Sequence, residues 1–242
     1  MSEPAWRRRL YADYGGAATA ATAEADFRAR APYLERLIRR HFPPARDAVI
    51  VDLGCGAGDL VRAARAAGYT GMTGIDRAPS QARLAAALAI DGITEGDLME
   101  AIAAFADLSH DVVVTFDVLE HLDTDEAFRL ADHVRRVLKP AGRWIVHVPN
   151  GQSPFFGRVR HGDLTHQRAF TAESLEQLAR AASFSAIACF EDTPTVHGAT
   201  SALRWLAWRL VRLAYRFCIA AETGETGRGM VLSQNLLAVF EK

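Results

Sequence analysis

The stretch Ala48-Val49-Ile50-Val51-Asp52-Leu53-Gly54-Cys55-Gly56-Ala57-Gly58-Asp59 constrains this chain more than any other. A β-prone run leads into an acid and three alternating glycines, and an alanine-rich helical pattern, Leu60 to Ala67, follows at once. The pattern predicts a buried strand, a tight turn and a helix start. The glycines permit positive φ and let a ligand approach the main chain, while a helix beginning near Gly58 aims its free N–H groups at that ligand.

Spacing narrows the ligand. A dinucleotide turn needs G-x-G-x-x-G, and counting from Gly54 puts Asp59 where the last glycine belongs; counting from Gly56 ends on Val61. A pyrophosphate is therefore disfavoured. Downstream, Gly71 to Asp76 reads as a second strand ending in an acid, and Pro79 starts a helix through Ala89. Asp76 lies about twenty residues past the glycine turn, where a carboxylate can accept both ribose hydroxyls of an adenosine-containing cofactor.

A short third strand, Gly92 to Glu95, leads to Gly96-Asp97-Leu98. The apolar run Asp111 to Phe116 reads as a central parallel strand, followed by a helix from Thr124 to Leu138. Lys139-Pro140-Ala141-Gly142 stops that helix, and Arg143 to Val148 makes a fifth strand. Strands and helices alternating in this way predict a doubly wound, Rossmann-like α/β fold whose ligand sits at the carboxyl ends of the strands.

An acid two residues before the first of three alternating glycines resembles motif I of the class I S-adenosylmethionine-dependent methyltransferases. The resemblance runs continuously from Val49 to Asn150 and includes the Leu-Lys-Pro-x-Gly turn before strand five. It implies S-adenosylmethionine as cofactor, held by Asp52, Gly54, Cys55, Gly56, Gly58, Asp76, Arg77, Asp97, Leu98 and Phe116, with Asp97 and Leu98 at the adenine. It also implies a mostly parallel seven-stranded sheet with helices on both faces.

Chemistry belongs where strand four ends, at Asp117-Val118-Leu119-Glu120-His121. If a helical segment starts at Asp117, residues 117, 120 and 121 share one face, and two carboxylates with an imidazole can ligate a divalent cation such as Mg²⁺. After strand five, Arg158 to Phe170 gathers His161, Asp163, Thr165, His166 and Arg168 in one loop. Asp-x-x-Glu-His followed by Thr-His-x-x-x-Phe-Thr resembles the metal sites of small-RNA 2′-O-methyltransferases and segments of ubiquinone-pathway O-methyltransferases. That resemblance implies Asp117, Glu120, His121 and His166 as metal ligands, with Glu120, His121 and His166 catalytic. Asp117 departs from it, since a longer Glu is usual there. Three readings compete: Asp117 touching only the cofactor, Asp123 or Thr124 capping the next helix, and His166 as a metal-free general base. His161 is read as loop structure or substrate contact.

From Ala5 to Phe42 the pattern is helical and arginine-rich, broken at Gly15-Gly16, with Trp6, Tyr11, Tyr14, Phe27 and Tyr33 among its aromatics and Pro43-Pro44 at its end. A packing layer and a lid over the cofactor fit it equally. Thr171 to Ala182 reads as a helix and Phe184 to Glu191 as strand six; about forty residues then intervene before the last strand, Leu232 to Glu241. That insertion holds the helix Ser201 to Ala221, with Trp205, Trp208, Leu210, Leu213 and Phe217 among Arg204, Arg209, Arg212 and Arg216. Four arginines exclude a comfortable transmembrane span. Packing on the domain or on a second subunit is the first reading, which allows a homodimer; peripheral contact with an anionic membrane or a lipid-linked acceptor is the alternative. A flexible segment, Gly224 to Gly229, follows.

At 242 residues, half of them apolar, the chain suits one methyltransferase domain over 1–242: a helical layer or lid to residue 45, a cofactor core over 46–150, and a substrate side over 151–242. Net charge is −1, which argues against a nucleic-acid partner. Cys55, Cys189 and Cys218 are far apart and odd in number, and Met1 to Leu10 lacks a following apolar region, so a reducing cytoplasm and no signal peptide are expected.

A weaker resemblance covers Pro149-Asn150, then Gly-Asp-x-Thr-His, a Trp/Arg helix ending Ala221-Glu222-Thr223-Gly224, and Gln234-Asn235-Leu236-Leu237-Ala238. It is to methyltransferases of surface-polysaccharide and other sugar-modifying pathways. It implies O-methylation of a polyhydroxylated acceptor, a sugar or glycan. A catechol-like or natural-product acceptor, RNA, and a non-catalytic cofactor-binding module stay open.

Overall fold

The computed structural model describes residues 5–12, 18–225 and 229–242. Tyr14, the Gly15-Gly16 break and the centre of the segment after Gly224 lie outside the described residues. Seven strands form one sheet in the order β3-β2-β1-β4-β5-β7-β6, with β1 Ile50–Leu53, β2 Met72–Asp76, β3 Ile93–Glu95, β4 His110–Phe116, β5 Leu138–Pro149, β6 Ala186–Glu191 and β7 Asn235–Glu241. The first five are parallel, and β7 runs antiparallel to both β5 and β6. Strand order reverses between β1 and β4, which pair at Ile50↔Val112 through Leu53↔Thr115. A crevice at such a switch point is where open α/β sheets bind ligands, and the glycine turn opens into it.

Helices cover both faces. α2 (Ala20–His41), α3 (Asp59–Ala66) and α4 (Pro79–Ala87) share a core with Ile50, Met72 and Ile145, to which α2 contributes Leu34, Leu37 and Ile38. α5 (Leu98–Ala104), α6 (Thr124–Val137) and α8 (Ala172–Ala181) pack Ile102, Leu130, Val134 and Leu175 around Trp144 and Phe240 on the other face. Each such side chain, fully withdrawn from water, contributes roughly 1.5–3 kcal/mol. Asp123 caps α6 through a reciprocal capping box with Glu126.

α2 packs on the sheet and also reaches the strand ends through Asp26 and Arg30, while α1 (Ala5–Ala12) lies across the carboxyl ends of the strands, tied down by Arg7, which donates to the carbonyl of His121 and to Glu126 at 3.2 Å.

Strand five differs from its reading over Arg143 to Val148, because Leu138 already pairs with His110. Residues 139–142 then loop out of register before Val112 meets Arg143, with Ala141 at φ 61°. Gly142 is required at this bulge because a Cβ there would lie 2.8 Å from the Lys139 carbonyl. The last strand starts three residues later than expected, since Asn150 takes the carbonyls of Val231 and Ser233 through its side-chain amide. A short helix, α7 (Phe156–Arg160), lies in the loop after β5, and α9 (Ala199–Thr223) fills the insertion before β7.

Candidate functional site

The turn after β1 folds as its glycines require. Gly54, Gly56 and Gly58 sit at φ 79°, 55° and 89°. A Cβ on Gly54 would stand 2.4 Å from Val118 Cγ2, whereas one on Gly56 would point into open space with only Gln81 Oε1 at 3.8 Å. Beside this turn lies a cavity of about 440 Å³ lined by Asp52, Gly54, Cys55, Gly56, Asp76, Arg77, Asp97, Leu98, Phe116 and Asp117. Gly58 is behind the wall, against Ile90 and Ile93. α1 adds Arg7 and Tyr11, and Arg77 stands 4.4 Å over the Tyr11 ring. The α1 contribution was hidden in the sequence, where nothing marks which arginine or aromatic faces the cavity.

The acids Asp52, Asp76 and Asp97 of this cavity differ in their hydrogen-bond partners. Asp52 is 2% exposed and its Oδ1 has no hydrogen-bond partner among the described residues. Burial, with help from Asp76, pushes its carboxyl up to about 7. Asp76 accepts from the Gly56 N–H at 2.8 Å and the Ala78 N–H at 2.9 Å, locking the glycine turn to the end of β2. Asp97 caps α5 through Oδ1, which accepts from Met99 and Glu100. Cys55 packs against Gly74, and burial raises its thiol above the ordinary range.

At the end of β4 the chain turns differently from the helical start expected at Asp117. Asp117 takes φ 56° and the helical turn is a 3₁₀ turn, Leu119–His121. Its Oδ1 instead lies 2.6 Å from His147 Nδ1, so the structure leaves Asp117 out of the cluster formed by the other candidate ligands. The cause is tertiary. His147 on β5 is 4% exposed, stacks on Phe116 at 4.2 Å, and its Nε2 is 3.6 Å from Asp192. Although burial works against its charge, Asp117 and Asp192 raise its pKa to about 10. An imidazole inside an apolar strand was the one available signal for this pair.

This pairing sets a pH dependence. A folded pKa of about 10 against the ordinary 6.5 stabilises the fold fully below pH 6.5, and the contribution is lost as pH rises through 10. In thermal unfolding, the melting-temperature gap between the native protein and His147→Gln is expected to be widest near pH 6 and to close towards pH 10.

Glu120, His121 and His166 do come together: one ligand atom from each lies within 4.8 Å of the others. The loop after β5 is stapled to the 3₁₀ turn, for Gln167 donates its N–H to the Glu120 carbonyl at 2.7 Å and its side-chain amide to the His121 carbonyl at 2.8 Å. Glu120 is fully buried, and neither carboxylate oxygen has a partner among the described residues. Burial, reinforced by Asp117, holds its carboxyl well above the ordinary range. Thr165 Oγ1 is 2.6 Å from Asp163 Oδ1, to which it donates, so it accepts from His121 Nδ1–H at 2.8 Å. Burial and His166 lower His121 to about 4, so it is neutral with Nε2 as its lone-pair nitrogen. His166 Nδ1 lies 3.1 Å from the Val159 carbonyl, which fixes the same tautomer. Imidazoles oriented in this way through Nδ1 are how proteins prepare histidine ligands. His161 is exposed and closes α7.

A second cavity, of about 420 Å³, lies between α2, α9 and the segment after β6. The rings of Tyr33, Phe155 and Trp208 line it with Asp192, Gln234 and Asn235. Tyr33 Oη, Thr195 Oγ1 and Asn235 Oδ1 lack hydrogen-bond partners among the described residues. The loop that carries His166 also supplies Phe155 to this wall.

Comparison with known proteins gives consistent matches. The family described as a methyltransferase domain matches residues 27–188. A probable S-adenosylmethionine-dependent methyltransferase of Mycolicibacterium smegmatis is 38% identical over 108 residues, 44% of this chain. The match spans 39% of that curated relative's length. Among solved structures, a SAM-dependent methyltransferase from Archaeoglobus fulgidus superposes with a TM-score of 0.65 at 19% identity, over 90% of this chain and 97% of the other. A second, from Mesorhizobium loti, gives 0.60 at 20% identity over 89% and 100%. At such identities the structural likeness is one of fold.

Proposed function

The chain belongs to the class I S-adenosylmethionine-dependent methyltransferase family, and from that premise we propose that it transfers the methyl group of S-adenosylmethionine to a hydroxyl of a polyhydroxylated acceptor, a sugar or glycan, with help from a divalent cation. The carrying observation is the trio Glu120, His121 and His166, with its unpartnered buried carboxylate and two imidazoles held through Nδ1.

The residues around the first cavity fit the cofactor. Asp52 brings an unpartnered carboxylate oxygen to the wall, Gly56 leaves room for a ligand against the main chain, and Asp76 and Asp97 stand at neighbouring strand ends. Asp76 would accept ribose hydroxyls, and Asp97 with Leu98 would hold the adenine. When bound, S-adenosylmethionine supplies a methyl group already activated by its sulfonium. What remains for the protein is to align a hydroxyl oxygen with that methyl, exclude water, and take up one proton. α1, through Arg7 and Tyr11, covers the cavity where the alignment takes place.

Glu120, His121 and His166 would hold Mg²⁺ or a similar cation, which supplies charge that orients adjacent hydroxyls and lowers the pKa of one. Mixed hydrogen-bonding groups beside three aromatic rings in the second cavity suit a sugar, with its hydroxyl rim and apolar face. One observation favours a second reading. His166 is half-buried with Nε2 as its basic nitrogen, which is what a metal-free general base on a catechol-like acceptor requires.

The test is transfer of tritiated methyl from S-adenosylmethionine to oligosaccharides, catechol and a short RNA, each with Mg²⁺ and with a chelator. Chelator-sensitive labelling of the saccharides is expected. Labelling of catechol alone, untouched by the chelator, would favour the His166 base; labelling of RNA would move the acceptor class. If cofactor binding occurs and nothing is labelled, the acceptor lies outside these three classes; a binding module would bind S-adenosylhomocysteine and tolerate loss of Glu120, His121 and His166 without functional change.

A further inference from the structure

We propose that α9 is an interfacial helix that docks the protein on an anionic lipid surface. α9 runs for 25 residues, and only Arg212 in it is buried. Its inward side carries Trp205, Trp208, Tyr215 and Ile219, half-buried against the domain. The outward side carries Leu203, Leu206, Leu210, Leu213 and Phe217, exposed by 69, 51, 60, 68 and 73%. Their spacings of three and four residues gather them in one stripe, with Ala207 and Ala214 beside it. A continuous apolar stripe of this length on the surface marks an interaction site.

Charge decides what covers it. With 3.6 residues per turn, Arg209 and Arg216 fall along one edge of the stripe and Ala207 and Ala214 along the other, while Arg204 turns back towards the domain and lines the second cavity. From Ala199 to Ala221 the helix has no acidic residue. Apolar side chains bordered along one edge by arginines, with no acid beside them, match a lipid interface, where the stripe enters the acyl boundary and the guanidinium groups reach anionic headgroups. The spacing would also suit a coiled-coil seam, but a second α9 laid along the stripe sets no acid opposite these arginines. Antiparallel pairing would set Arg209 and Arg216 against their counterparts, and parallel pairing would set them against alanines. Among the described residues no helix is long and apolar enough to cross a membrane, which leaves the helix lying on the surface.

Docking would have a consequence for the acceptor, one that rests on the functional reading above. α9 contributes Arg204, Trp208 and Arg212 to the second cavity, so its attachment brings that cavity near the lipid surface, within reach of an acceptor carried there.

The test is co-sedimentation of the full chain with phosphatidylcholine vesicles, with and without phosphatidylglycerol, at low and high salt. The Leu206→Gln/Leu210→Gln/Leu213→Gln variant and Arg209→Glu serve as comparisons. These side chains are exposed, and matching thermal melts and methyl-transfer rates in detergent-free buffer would verify that both variants fold. The native chain is expected to sediment only with the anionic vesicles and to be released by salt. The triple variant should lose binding, and Arg209→Glu should weaken it by about thirty-fold, the sum of one lost attraction and one added repulsion. Absence of native binding at low salt, or undiminished binding by the triple variant, would overturn the proposal. So would a native dimer in light scattering that the triple variant converts to monomer, which would assign the stripe to a second copy.

Discussion

An enzyme carrying Glu120→Gln and His166→Ala is expected to lose methyl transfer by about 10²- to 10⁴-fold while binding S-adenosylhomocysteine as tightly as the native protein. The separation follows from position. Neither residue lines the first cavity, whereas both belong to the trio beside it. Glu120→Gln keeps the side chain's shape and exchanges one buried polar group without partners for another, so the fold should tolerate it. Single-turnover rates read beside calorimetric affinity for S-adenosylhomocysteine distinguish the outcomes. A full-rate variant would reduce the trio to structure; a variant that loses affinity in proportion to rate would mean that the trio acts through the cofactor cavity.

Asp76→Ala is expected to weaken S-adenosylhomocysteine binding by on the order of 100- to 10,000-fold. Two hydrogen bonds to a charged acceptor contribute roughly 1.5–3 kcal/mol each, and each 1.4 kcal/mol is tenfold in affinity. A second loss adds to this, because the same carboxylate holds the N–H groups of Gly56 and Ala78 and so keeps the glycine turn against β2. Asp76→Asn retains an acceptor oxygen and should fall between the two. Calorimetric affinities for all three proteins provide the check, and an alanine variant within twofold of the parent would remove Asp76 from the binding account.

What was legible in the sequence was local. The alternating glycines, the apolar strand runs and the acid at the end of β2 each carry their own conformational demand, and the parallel core follows from their order. Resemblance carried the reading only as far as a mostly parallel seven-stranded sheet; the antiparallel β7 between β5 and β6 was not foreseen, since nothing in Asn235–Glu241 states its neighbours. The site was legible only where its residues are close in the chain. Glu120 and His121 are adjacent, but His166 reaches them because Gln167 binds the Glu120 carbonyl across the fold. Asp117 was misread for the converse reason. A left-handed backbone and a charged histidine thirty residues away along the chain turn it from its expected face, and no local pattern encodes that pairing. The roles of α1 and α9 were ambiguous because helical periodicity gives a face without naming what it meets.

The most direct test of the central claim, a methyltransferase whose Glu120, His121 and His166 hold a divalent cation, is a Mn²⁺ titration followed by electron paramagnetic resonance with S-adenosylhomocysteine present. The native protein is expected to deplete the free-ion signal to a stoichiometry of about one, and the Glu120→Gln/His166→Ala variant to leave it unchanged. Equal signals from the two proteins would contradict the cation site and leave His166 as the candidate base.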